Sequence, residues 1–131
     1  MKSSTPIIRI EKNATQTRPA IRKEVHDRIV IPSSQGLHII PFNDIIHCHA
    51  DSNYCRIRLS SGKDILASKT LKHISSLLPK SMFIRIHQSH LVGRKAIRFI
   101  GQEHLTLADG SDVPVSRSRR SNLLQSFGRN Q

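Results

Sequence analysis

Apolar and polar residues alternate with a period of two through much of the chain, and that pattern predicts a succession of short β-strands. Residues 28–32 and 37–41 are β-branched runs on either side of Ser33-Ser34-Gln35-Gly36, a sequence with turn chemistry, so a hairpin is expected there. Residues 42–46 read as a short turn leading into a strand over 46–50, and residues 51–53 as a loop. Over 54–59 the alternation is clear, with Tyr54, Arg56 and Arg58 on one side and Cys55, Ile57 and Leu59 on the other. A turn at 60–63 and a returning strand over 64–68 complete an antiparallel meander.

The period then changes. Leu71, Ile74, Leu77 and Leu78 share one face of a helix that Ser68 or Thr70 can cap and Pro79 stops. Strands return over 83–87 and 95–100, joined by 88–94, and residues 104–108 and 112–115 form a hairpin about Asp109-Gly110. Ser116 is a candidate cap, and a short helix over 121–127 turns Leu123, Leu124 and Phe127 inward before ending at Gly128. The predicted fold class is mostly β: small antiparallel sheets, one short amphipathic helix and a short C-terminal helix. Residues 1–25 carry neither period and read as a basic tail or linker, which leaves 26–131 as the single domain.

Charge sharpens this picture. The chain has 131 residues, 21 Lys and Arg against 9 Asp and Glu, and a net charge of +12, which biases it towards a polyanion. An anionic membrane would need an amphipathic surface helix or an apolar span, and the sequence shows neither, so a soluble, cytoplasmic protein with no membrane partner is expected. Aromatics are few, with no Trp, which leaves little with which to stack on single-stranded bases and favours a duplex read through its grooves. Over 82–98, Arg85, Arg94, Lys95 and Arg98 are set among strand-forming residues with no acid between them. In the same stretch Gln88, Ser89 and His90 are side chains of the type that hydrogen-bond base edges, with His87 beside them. Arg117, Arg119 and Arg120 form a second basic edge, and Arg56 and Arg58 lie near the 51–53 loop as a third.

Other chemistry is less complete. His47 and His49 share one face of a strand near Cys48 and Cys55, but no CxxC or HxxxH pair finishes a ligand set, so no metal is expected. The two cysteines read as reduced thiols. Cys55, His49 and Asp51 could make a nucleophile triplet, yet the carboxylates are scattered, so no catalytic residue, enzyme activity or cofactor is expected. A basic RNA-binding or ribosome-associated module and a His/Cys metal-binding sensor stand as the alternatives to a duplex-DNA binder.

An ordered set of motifs resembles the LytTR DNA-binding domain, the effector half of many bacterial two-component response regulators. The set comprises Phe42-x-Asp44-Ile45-Ile46-x-x-x-Ala50-x-x-Asn53-Tyr54, Leu59-x-x-Gly62, and Thr70-Leu71 opening the helix. It continues through residues 83–92, FIRIHQSHLV, then Leu107-x-Asp109-Gly110, and ends with VPVSR at 113–117.

The resemblance implies an elongated antiparallel β-sandwich of small stacked sheets whose loops enter successive major grooves. It implies base contacts by Asn53, Gln88 and Arg117. Arg56, Arg85, His87, Ser89, His90, Arg94, Lys95, Ser116, Arg119 and Arg120 would hold the backbone or support those three. It also implies paired direct-repeat sites, two copies forming a homodimer on DNA, and a receiver domain or sensor partner if the chain is part of a longer protein. The chain departs from the family pattern at Gln88, commonly Arg, at His90, commonly aromatic, and at Gly93, commonly Asn. Glutamine suits adenine where arginine suits guanine. Glycine at 93 raises the expectation of a backbone conformation with positive φ.

Overall fold

The computed structural model describes residues 27–128; the expected tail over 1–25 lies outside the described residues. Strands β1 (Arg28–Ser33) and β2 (Gly36–Pro41) form a two-stranded sheet, and a 3-10 turn, Phe42–Asp44, leads from it into β3 (Ile45–Asp51). Next come β4 (Tyr54–Leu59), β5 (Asp64–Ala67), α1 (Leu71–Leu77), β6 (Phe83–His87) and β7 (His90–Gly93). A second 3-10 turn, Arg94–Ala96, precedes β8 (Ile97–Ile100), β9 (His104–Leu107), β10 (Asp112–Pro114) and α2 (Arg117–Phe127). The central sheet has five strands in the order β5-β4-β3-β7-β6, and a third sheet has the order β10-β9-β8; all pairings are antiparallel.

Two apolar clusters lie on opposite faces of the central sheet. On one face Cys48, Cys55, Ile57, Ala67 and Leu91 pack with Leu71, Ile74 and Leu78 from the α1 region and with Ile29, Ile31 and Ile40 from the β1–β2 hairpin. On the other, Ile46, Ile84, Ile86 and Val92 meet Leu105, Leu107 and Val113 of the third sheet and Leu123 of α2. The mostly β architecture is the one the alternation predicts, and its small stacked sheets are what the family resemblance implies. The helix begins at Thr70, whose Oγ1 accepts the N–H of His73 at 3.1 Å, rather than at Ser68.

Several local expectations are corrected. Residues 90–93, expected within a connecting loop, are β7, because their backbone completes the ladder to β3 through His49↔His90, Cys48↔Leu91 and His47↔Val92. The strand expected from 95 starts at Ile97, since the 3-10 turn takes up Arg94–Ala96. α2 starts at Arg117, four residues earlier than predicted. Leu77, Leu124 and Phe127 stay largely exposed, at 45%, 38% and 38%, so each helix buries a narrower stripe than its pattern suggested.

Gly93 has φ −75°, an ordinary extended conformation, so positive φ is not its purpose. A Cβ there would lie 3.0 Å from the carbonyl oxygen of Ile45, so the close approach of β7 to β3 is what the missing side chain permits. Gly93→Ala should therefore lower stability by about 1 kcal/mol or more through overpacking. Chemical denaturation of the two proteins would measure it, and an unchanged midpoint would contradict the close-approach account.

Candidate nucleic-acid interface

The three loops singled out in the sequence meet at one end of the central sheet. The first is the tight turn between β3 and β4, where Asp51 pairs with Tyr54 and Ser52 and Asn53 form the tip. Ser52 holds φ +58°, the left-handed conformation that non-glycine residues rarely adopt, so the tip is presented at some cost in backbone strain. The second is the turn Gln88-Ser89 between β6 and β7. The third is the β10–α2 junction at Ser116 and Arg117.

Backbone hydrogen bonds tie them to one another. The N–H of Ala50 donates to the carbonyl of Ser89 at 2.9 Å, which joins the first loop to the second. The N–H of Ser116 donates to the carbonyl of Ile86 at 2.8 Å, which joins the third to the same strand. Arg85 braces the second loop from beneath, with Nε to the carbonyl of His87 at 3.2 Å and Nη2 to that of Gln88 at 2.6 Å. The Gln88 side chain is left exposed at the tip, as are Asn53 and Arg117.

Electrostatics at this end are unfavourable for the protein alone. Burial lowers the pKa of Arg85, and the nearby charge of Arg119 lowers it further. The first turn of α2 holds no acid but carries Arg117, Arg119 and Arg120, so cations stand at the positive end of the helix dipole. An anion placed there relieves both repulsions and meets the positive end of the helix dipole. Ser116 contributes through its backbone: its carbonyl accepts from Arg119 and Arg120, whereas its Oγ is buried without a hydrogen-bond partner. Arg120 is partly committed, donating Nε to the carbonyl of Gly101 at 3.0 Å. Arg56 is paired with Asp51 at 3.1 Å, which steadies the first loop and reduces its availability to a phosphate.

Arg94 and Lys95 stand elsewhere. Gly93 pairs with Phe83 at the opposite end of β6–β7 from Gln88, and at about 3.3 Å per residue Arg94 is roughly 17 Å further along. Arg94 lies over the ring of Phe127 at the far end of α2 and bonds Ser126, while Lys95 reaches Asn43 at 3.1 Å. These two cations, expected to support a DNA contact, are not brought to the loop edge.

A feature that sequence analysis saw only in part is a cluster of four imidazoles. His49 stacks on His90 with centroids 4.4 Å apart and planes at 5°, and His47 stacks on His90 at 5.1 Å. His87 meets His90 edge-on at 5.2 Å. The ring nitrogens Nε2 of His47 and Nδ1 of His90 are 2.9 Å apart, one donating and the other accepting, so at least one of the two rings must be neutral. The N–H of Ser89 donates to Nδ1 of His87 at 3.0 Å, so the tip of the second loop also relies on a neutral ring. Alternation along one strand placed His47 and His49 on one face, but His87 and His90 joined them only through β7.

Cys48 and Cys55 lie on the opposite, buried face, so thiols and histidines do not share a site. Among the described residues no group of three or more His, Cys, Asp or Glu side chains is arranged to hold a metal ion. No helix among them is long and apolar enough to cross a membrane.

The fold and its basic loop edge define a class, a small antiparallel β domain whose loops form a cationic edge at one end of the central sheet. The model of the LytTr DNA-binding domain matches residues 35–128, and the chain belongs to the LytTR family of DNA-binding domains. The chain is 28% identical over 101 residues to the sensory transduction protein LytT of Bacillus subtilis, covering 73% of this chain and 42% of that protein. It is 30% identical over 105 residues to the sensory transduction protein LytR of Staphylococcus epidermidis, covering 75% and 40% respectively. It thus spans about two-fifths of the length of these curated relatives. The LytTr DNA-binding domain of a response regulator from Bacillus cereus superposes with a TM-score of 0.68 over 78% of this chain and 97% of that one, at 24% identity.

The histidine cluster generates a pH dependence. Burial, then neighbouring imidazoles, lower His47 to about 4 and His90 to about 3. The unfolded chain takes up these protons near pH 6.5 and the folded one only below about 4, so stability is complete above pH 6.5 and falls through the window below it. Thermal melts at pH 7.5 and 5 should show a lower Tm in acid. His90→Phe, which keeps a ring in the stack, should shrink that difference; an unchanged difference would contradict the assignment.

Proposed function

We propose that this domain is the sequence-specific, double-stranded-DNA-binding part of a bacterial transcriptional regulator. Asn53, Gln88 and Arg117 read bases from the three loop tips. Arg119 and Arg120 hold phosphates at the start of α2. Arg85, His87, Ser89, His90 and Arg56 set the loop geometry, and Ser116 anchors the junction through its backbone. The observation that carries this reading is the joining of all three loops at one edge by the Ala50–Ser89 and Ser116–Ile86 hydrogen bonds, beside a helix start crowded with arginine.

The family resemblance further suggests paired direct repeats, two copies associating on DNA, and a receiver or sensor domain supplied by the rest of a longer protein. A chromosomal partner would place the protein in the cytoplasm. The RNA-binding alternative predicts equal affinity for structured RNA and no preferred duplex sequence; the metal-sensor alternative loses support with the thiols facing away from the histidines.

Fluorescence anisotropy with a specific and a random duplex separates the roles. Arg117→Ala should cost about 1 to 3 kcal/mol on the specific site and relax one base position, whereas Arg119→Ala should weaken both duplexes alike. If about five cations release counterions, the log-log salt slope should be near −4.5. Identical losses on both duplexes for both variants would show that the base-reading and phosphate-holding roles are wrongly assigned.

A further inference from the structure

At the end of the central sheet away from the loops, a cleft of about 200 Å³ opens between the two apolar clusters. Phe42, Ile45, Phe83 and Ala96 form its apolar wall, and Asn43, Lys95 and Arg98 are among its polar lining. Phe42, Ile45 and Phe83 belong to one cluster and Ala96 to the other, so the cleft is a gap in the seam where the two cores meet. Gly93 helps keep it open, since this residue, with no side chain, also lines the cleft.

Its rim is cationic. Lys95 and Arg98 are both exposed, and neither is paired with a carboxylate among the described residues. Nζ of Lys95 is held by Oδ1 of Asn43 at 3.1 Å, a neutral partner that fixes the ammonium without cancelling its charge. Nη1 of Arg98 donates to the carbonyls of Lys95 at 2.7 Å and Ile97 at 3.4 Å, which ties the two cations together and leaves Nε and Nη2 available. An apolar pocket with a few convergent polar groups is the usual anatomy of a small-molecule site. A cavity of about 150 Å³ suffices for a benzene ring.

We propose that this cleft binds a small amphipathic carboxylate, with a ring or branched apolar body against Phe42, Ile45 and Phe83 and its anionic group on Lys95 and Arg98. Apolar burial supplies the grip, and the two cations supply the selection for a charged headgroup. The site is separate from the loop edge, because β3, β6 and β7 each span the distance between the cleft end and the loop end. Its occupation is independent of the DNA-binding reading.

Titration of the 15N-labelled protein with phenylacetate, and with phenylacetamide as its uncharged isostere, tests the proposal. Amide shifts should concentrate at Phe42, Gly93, Ala96 and Ala108. Phenylacetate should bind about ten-fold tighter than the amide, the size of one charge-assisted hydrogen bond. In the Lys95→Ala/Arg98→Ala double variant, both residues being exposed, the fold should persist and the two probes should bind equally. Equal binding of acid and amide to the wild-type protein would overturn the proposal. So would shifts centred on Asn53 and Gln88, or the absence of cleft shifts up to about 10 mM probe, a range that covers fragment-strength affinities.

Discussion

The pairing of β3 with β7 is the constraint on which the rest of this molecule depends. It joins His47, Cys48 and His49 to residues some forty positions later in the chain, and it is the only pairing that unites the β3–β5 meander with the β6–β7 hairpin in one sheet. Each hairpin alone would present one loop in an arbitrary direction. Once β3 and β7 are in antiparallel register, the turn that follows β3 and the turn that precedes β7 reach the same end of the sheet, and the Ala50–Ser89 hydrogen bond fixes their separation. Gly93 makes the approach sterically open at the far end. Burial of Ile84, Ile86 and Val92 then draws in the third sheet and α2, which delivers Arg117 to the same edge.

The loop end is built against local preference. Ser52 takes a left-handed backbone, Arg85 and Arg119 repel each other, and arginines rather than acids occupy the first turn of α2. None of these choices favours the isolated fold, and each is offset by the two apolar clusters beneath. A polyanion reverses the sign of the electrostatic costs. The stacked histidines sit behind the second loop as a neutral, closely packed support whose geometry depends on unprotonated rings.

Much of this was legible in the sequence, and the exceptions have physical causes. The alternation at 54–59 and the Asp109-Gly110 turn mark elements that depend on local chemistry, and both appear where expected. β7 was hidden because two of its four residues are His90 and Gly93, neither a strand former; long-range pairing with β3 outweighs their propensities. The early start of α2 was hidden because arginines at a helix N-terminus oppose its dipole. The loop residues Asn53, Gln88 and Arg117 were identifiable by motif, but their meeting at one edge was not, since it rests on backbone bonds between distant segments. For the same reason the basic stretch 82–98 looked like one surface, whereas the strands carry Gln88 and Lys95 to opposite ends.

The most direct test of the central claim, that three joined loops each read part of one duplex, is selection from random duplex DNA with the wild-type protein and with Gln88→Arg. The wild type should return a defined motif with adenine at the position read by Gln88. The variant should return the same motif with guanine preferred there and the other positions unchanged, as the hydrogen-bonding patterns of the two side chains require. A wild-type selection without a motif, or a variant whose preferences change everywhere or nowhere, would contradict the account.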